Sequence, residues 1–303
     1  MTKFLRCLIA VFLFVHSAFC LAAIEITDSH GKYKFDQPPE RIVVLNWALA
    51  EQLLELGVVP QGMADIEGYR RIANRPAVPA SVIDVGDRLK PDLAKIRGLD
   101  PEIIIIGYSQ RSIMRPLENI ATIIYFKNFG KRYNNAEKSV DRFRELAKLF
   151  DKTESAQKLL EQRERSLAQL AESVTKLDLS PDLRFAIVVP PSNRRAQYWL
   201  LGENSLPNAA ARSIGIKTLS AEDHDQFGVA RLSLTEITQL AEDSGTTTCF
   251  LLLNRYSPDT SSNDALECAY ELPYQNAFGG VMSIQYLGEG MLEVISRGNH
   301  IPH

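Results

Sequence analysis

The sequence predicts an α/β fold: two α/β lobes with mainly parallel sheets, joined by one long rigid helix. Three observations point there. Short unbroken apolar runs rich in β-branched residues, such as 42–45 and 103–106, alternate with amphipathic helical stretches, the pattern of parallel strands buried on both faces. The alternation resumes after residue 180 without repeating the sequence. Between the two series lies 151–177, whose apolar positions Ala156, Leu159, Leu160, Leu167, Leu170, Ala171, Val174 and Leu177 keep helical spacing, with one turn skipped at Arg163 and Glu164.

In chain order, residues 1–23 come first. Lys3 and Arg6 precede the apolar run 7–15, and the small residues Ser17, Ala18, Cys20, Ala22 and Ala23 follow. That order reads as a secretory signal peptide. The run is short for a membrane anchor, and bulky Phe19 suits a lipid-modified Cys20 badly. Residues 24–27 and 32–35 flank Ser29-His30-Gly31 as a hairpin. Then come strand 42–45, helix 48–56 closed by Gly57, strand 58–63 and a long polar stretch, 65–80, holding Tyr69, Arg70, Arg71 and Arg75. Strand 82–85, helix 92–97 stopped at Gly98, strand 103–106, helix 114–120, strand 122–126 and helix 136–150 complete the first half.

Asp151 with Glu154 reads as a capping box opening the long helix, and Glu154/Lys158, Glu161/Arg165 and Glu172/Lys176 set each acid four residues before its base. About 26 residues at ~1.5 Å each make a rod of roughly 39 Å. The second half reads as strands 185–189 and 198–201, helix 206–213 ended by Gly215, helix 234–241, strand 249–253, a helical segment around Cys268 and a final helix over 280–296. The expected organisation is a signal peptide over 1–23, an N-terminal lobe over 24–150, the connecting helix over 151–178 and a C-terminal lobe over 179–303.

With 45% hydrophobic and 23% charged residues the chain is an ordinary globular one. Without Lys3 and Arg6, the 34 basic residues become 32 against 37 acidic ones, a formal charge of −5, which speaks against nucleic acid as a partner. Only Cys249 and Cys268 follow the leader. In an oxidising compartment they either pair, closing a short loop within the second half, or stay as two buried thiols.

Ligands of open parallel sheets gather beyond the carboxyl ends of the strands. The residues there are Asp87, Arg88 and Tyr108 in the first half, and Arg194, Arg195, Arg255 and Tyr256 in the second. Arginine forks suit anionic oxygen, and tyrosine adds an apolar face with one hydroxyl. The pattern suggests an oxygen-rich anion held between two jaws. Trp47, Tyr69 and Arg70 join these as candidate contacts. No G-x-G-x-x-G, Walker A, G-x-S-x-G or C-x-x-C motif is present. Glu222-Asp223-His224-Asp225 offers metal-ligand chemistry, but adjacent loop residues rarely all face one ion, and no other internal histidine is near in sequence.

The segments Arg41-Ile42-Val43-Val44-Leu45-Asn46-Trp47, Glu51 to Pro60, Gly62-Met63-Ala64-Asp65, Val82 to Leu93 and Pro101 to Tyr108 resemble periplasmic iron-siderophore binding proteins of ABC importers, in particular the ferric hydroxamate (ferrichrome-type) group. The resemblance is strong in the first half and loose in the second. It implies a class III periplasmic binding protein without catalysis or cofactor: a periplasmic monomer of a Gram-negative cell that carries a ferric hydroxamate siderophore to an inner-membrane ABC permease with its cytoplasmic ATPase. Iron would be held by the siderophore alone. Arg88 matches the family arginine that contacts hydroxamate oxygens, and Tyr108 its pocket tyrosine. Phe227 falls where the family has a tryptophan, Phe278 at an aromatic position, and Asn276 or a neighbour where another tryptophan is expected. A tryptophan near Ile72 is also missing. Together with Arg70, Arg71, Arg194 and Arg195, these departures favour a more acidic hydroxamate, such as a citrate-based one. Glu118 and Glu236 stand near the family's two permease-docking carboxylates. The alternatives are a cobalamin or haem binding protein of the same fold, and an exported siderophore-processing hydrolase.

Overall fold

The computed structural model describes residues 23–73, 75–132, 134–191, 197–253, 268–273 and 276–298. Strands β1 (Ile24–Thr27) and β2 (Lys32–Phe35) form an antiparallel hairpin. The first lobe's sheet comprises β3 (Ile42–Val44), β4 (Gly62–Met63), β5 (Ile83–Asp84), β6 (Ile103–Gly107) and β7 (Thr122–Phe126), all parallel, in the order β5-β4-β3-β6-β7. Helices α1 (Trp47–Glu55), α2 (Ile66–Ile72), α3 (Leu93–Gly98) and α4 (Met114–Glu118) make the crossovers, and α5 (Asn135–Leu149) follows β7. β3 and β6 are buried throughout. Their alternate residues feed two cores, Ile42, Val44 and Ile105 on one face and Val43, Ile104 and Ile106 on the other. The chain steps outward from β3 to β5 and then returns to β6 on the opposite side of β3. The order therefore reverses between β3 and β6, and their carboxyl ends open a crevice.

The second sheet contains β8 (Leu183–Val189), β9 (Tyr198–Leu201), β10 (Thr218–Leu219), β11 (Val229–Leu232), β12 (Thr247–Leu252) and β13 (Ala269–Glu271). Its order is β11-β9-β8-β12-β13, with β10 also on β8. β8, β10, β12 and β13 pair in parallel, whereas β9 runs antiparallel to β8 and β11 antiparallel to β9. The long helix α6 (Thr153–Thr175) has 23 residues, about 34 Å of rise. Its apolar stripe is shared: Ala156 and Leu160 enter the first lobe's core, Leu167 and Val174 the second's. The skipped turn is the waist. There Arg163 is buried and its Nη1 donates to the Val281 carbonyl at 3.3 Å.

That carbonyl belongs to a strap, 276–282, which turns back from the second lobe onto the first. Val281 and Met282 lie in the first lobe's core, while Ile284, Leu287 and Met291 of α9 (Ser283–Arg297) lie in the second's, beside α7 (Leu206–Ser213). On the outer face of this lobe, α8 (Leu234–Asp243) starts from a capping box.

Several expectations change. Asp151 does not cap the long helix: it ends α5 in the left-handed conformation (φ 53°). The Asp151 and Lys152 N–H groups close a Schellman turn on the Lys148 and Ala147 carbonyls. After α3, which ends at Gly98, Asp100 takes the left-handed conformation (φ 45°) and its N–H bonds the Arg97 carbonyl. Much of 58–63 is not strand, and the polar stretch 65–80 contains α2. The segment after Cys268 is strand β13 rather than helix. Of the two states expected for Cys249 and Cys268, the disulfide is the one found. The expected signal peptide falls almost wholly on 1–22, outside the described residues. Among those described, no helix is long and apolar enough to cross a membrane.

Candidate functional site

The crevice of the first lobe faces the second lobe across a cleft of about 280 Å³. Its first wall is set by side-chain amides. Asn46, just beyond β3, accepts from the Leu49 N–H to cap α1, donates to Gln110 and accepts from Asn128. Asn128 in turn accepts the Tyr108 N–H at 3.0 Å, which fixes the chain just beyond β6. Gly107 makes this possible, because an added Cβ would sit 2.4 Å from Asn46 Nδ2.

Arg88 follows β5 in a tight loop. The Asp87 carboxylate accepts the Leu89 and Lys90 N–H groups, which hold it below the usual carboxylate range. The Arg88 guanidinium lies 3.7 Å above the Trp47 ring, with Nε 3.6 Å from Asp65. Trp47 is anchored by its indole N–H on the Ala64 carbonyl at 3.1 Å. It is thus a platform beneath Arg88 as well as part of the wall.

The second lobe answers with a similar group. Arg231 of β11 and Trp199 of β9 are direct partners in the antiparallel register, with Arg231 Cζ 5.7 Å from the ring centre. Arg231 Nη1 meets Asp225 Oδ2 at 3.0 Å, and the other Asp225 oxygen accepts the Phe227 and Val229 N–H groups. Between the walls lies an aromatic floor. Phe129 of the first lobe stands 5.3 Å from Phe227 and 6.3 Å from Phe278 of the second. Tyr108 meets Phe227 edge-on, and Trp199 meets Phe278.

Arg88, Trp47, Phe227, Phe278 and Asn276 therefore line the cleft, and Tyr108 stands beside it. Tyr69 does not belong to it: the ring is fully buried and the hydroxyl donates to the carbonyls of Arg75 and Pro76, so no ligand in the cleft reaches it. Arg70 is exposed on α2 outside the lining, 3.4 Å from the Val78 carbonyl. Arg194, Arg195 and Arg255 lie outside the described residues. Glu118 and Glu236 are exposed, one on each lobe, but Glu236 is occupied, closing the capping box of α8 with Ser233. Trp199, Arg231 and Phe129 were not expected here. The signal for Arg231 is the pairing of β11 with β9, a contact between segments 30 residues apart that local periodicity does not reveal.

Asn276 has a second task behind the wall. Its amide donates to Glu51 Oε2, while Glu51 Oε1 accepts the Gly280 N–H at 2.9 Å and the Ser283 hydroxyl at 2.6 Å. Glu51 is 1% exposed. Burial pushes its carboxyl up to about 7, against the opposing pull of the Ser283 and Gly280 hydrogen bonds. Nearby, Tyr286 donates to Glu55 and Arg75 pairs with Glu289 at 3.0 Å. The strap is thus locked to α1 by polar contacts as well as by its apolar residues. No cluster of three or more metal-ligating side chains occurs among the described residues. Within 222–225, Asp223 pairs with Lys131, and Asp225 is committed to Arg231 and to backbone.

The profile of a family described as "Periplasmic binding protein" matches residues 42–243. The chain is 31% identical over 180 residues to the Fe(3+) dicitrate-binding periplasmic protein FecB of Escherichia coli, covering 58% of each chain. It is 32% identical over 180 residues to the iron(3+)-hydroxamate-binding protein FhuD of Escherichia coli, covering 56% of this chain and 59% of that one. The matched stretches thus span less than two thirds of these relatives. The crystal structure of the Fe3+–Desferal-bound siderophore binding protein FhuD from Vibrio cholerae superimposes with a TM-score of 0.76 at 28% identity, covering 84% of this chain and 97% of that one.

Proposed function

Because the chain belongs to the periplasmic binding protein family, we propose that it captures a ferric siderophore in the interlobe cleft and delivers it, in the periplasm, to an inner-membrane ABC permease with its cytoplasmic ATPase. The observation that carries this reading is Arg88 laid over Trp47 at the crevice, facing the floor of Phe129, Phe227 and Phe278. A ferric siderophore offers two kinds of surface. Its iron-bound oxygens carry negative charge and suit a guanidinium fork, and its organic shell suits aromatic rings. Iron stays inside the chelate and needs no protein ligand. The relatives' names, citrate in one case and hydroxamate in another, support an oxygen-donor chelate. Within that class we assign hydroxamate oxygens to Arg88 and Tyr108.

The test is direct. Trp47 and Trp199 are the chain's two tryptophans, and both line the cleft, so intrinsic fluorescence reports on this site. Titration with ferric hydroxamates should give saturable quenching, with the chelate recovered unchanged. A flat response across hydroxamate and citrate chelates alike would reject the reading.

Delivery is tested separately. Glu118→Lys combined with Glu236→Gln removes a surface carboxylate from each lobe, and glutamine still completes a capping box. Uptake in cells should fall sharply while affinity in solution stays as before. Unchanged uptake would dismiss these two residues as the docking pair.

A further inference from the structure

The two walls of the cleft carry matching groups. In the first lobe, Arg88 lies over Trp47 and is steered by Asp65; in the second, Arg231 lies over Trp199 and is steered by Asp225. The two groups come from unrelated local sequence. One sits on a loop after a parallel strand, and the other on paired antiparallel strands. In both, the indole supports the guanidinium from one face and the aspartate occupies part of its edge. A guanidinium has five N–H donors, so each retains donors for a ligand. Among the described residues lining the cleft there is no carboxylate to consume them. Both guanidiniums line the same cleft, so a chelate with anionic oxygen on two sides can take the remaining donors of each.

Resting on the siderophore reading above, we infer that Arg231 is a second anion anchor opposite Arg88, and that the two together select ferric chelates bearing carboxylate oxygens on opposite sides over neutral or cationic ones. A neutral trihydroxamate chelate uses the donors of one arginine through its iron-bound oxygens and offers no anionic partner to the other, which keeps only its aspartate. A chelate with free or iron-bound carboxylates at both ends satisfies both. An arginine fork binds a carboxylate through two parallel hydrogen bonds, a geometry that lysine cannot copy.

The experiment measures affinities by titration calorimetry for ferric dicitrate, which is anionic, and for Fe3+–Desferal, a trihydroxamate chelate whose free amine makes it cationic. Wild-type protein should prefer ferric dicitrate. Arg231→Gln should weaken that binding by about tenfold to a hundredfold and change Fe3+–Desferal binding by less than about twofold, with Arg231→Lys recovering only part of the loss. Arg231 is half exposed, so the variants should fold, and circular dichroism melting checks this. If both chelates bind and Arg231→Gln leaves their ratio unchanged while Arg88→Gln weakens both, the anchor is overturned and the siderophore reading stands. If neither chelate binds to wild-type protein, the reading itself falls and the anchor falls with it.

Discussion

Arg88 is held on three sides, by the Trp47 face, by Asp65 and by a loop that Asp87 fixes through two backbone bonds. Such pre-positioning means little ordering is needed when a ligand arrives. Arg88→Ala should weaken ferric hydroxamate binding by roughly 1.5–3 kcal/mol, the range for a hydrogen bond to a charged group. Unaltered calorimetric affinity in a folded variant would remove Arg88 from the site. Glu51 leads to a different kind of expectation. Its carboxyl titrates near 7 in the folded protein, against 4.5 as its ordinary value. Between those two pH values the folded state holds a proton that the unfolded chain has lost, so stability falls as pH rises through the window. The contribution is present in full below about pH 4.5 and gone above about pH 7, and amounts to about 3 kcal/mol. Glu51→Gln keeps an acceptor for Gly280 and Ser283 but cannot ionise. Thermal melts from pH 5 to 8 should decline for the native protein and flatten for the variant, and parallel curves would show that Glu51 stays charged throughout. Local sequence does not reveal the role of Glu51, because its three donors arrive more than 200 residues later.

At the level of elements, legibility followed length and regularity. β3, β6, β7, α5 and α6 stand close to where their apolar spacing places them. α2 was hidden in a polar stretch, since its seven residues carry Arg70 and Arg71 outward and only Ile66, Gly68, Tyr69 and Ile72 inward. β11 is four residues with one cation, and β13 is three. Segments that short are decided by the sheet that receives them rather than by their own pattern. Arg231 escapes notice for the same reason, and Trp199, on a strand that the sequence does reveal, gains its role only through its pairing with β11. The skipped turn of α6, by contrast, was legible as a gap, but its meaning required the strap that fills it. Gly280 is the test of that strap. A Cβ there would stand 2.6 Å from Gln52 Cγ and 3.0 Å from the Ala48 carbonyl. Gly280→Ala should therefore push the strap off α1 and cost about 1–3 kcal/mol, the range for overpacking. A denaturant melt identical to that of the native protein would mean that the strap shifts without penalty.

At the scale of the whole molecule, the lobes are joined twice. α6 contributes apolar residues to both cores and contains neither proline nor glycine, so bending it would break backbone hydrogen bonds without relief. The strap adds Val281, Met282 and the Glu51 contacts on the same waist. Rotation of one lobe against the other must disturb both connections. Loading the cleft should change the radius of gyration in small-angle scattering by on the order of 1 Å or less, whereas a contraction of several ångströms would show a hinge that this waist does not provide.

The strap also bears on the order in which the molecule can be finished. During synthesis the first sheet emerges early, with β3, β6 and β7 complete by residue 126. Two of its core residues, Val281 and Met282, and the donors that satisfy buried Glu51 come from more than 150 residues further along the chain. Until that segment has been made, two residues of the N-terminal lobe's core and the donors to Glu51 are missing. The first lobe is thus completed by residues made well after its own sheet.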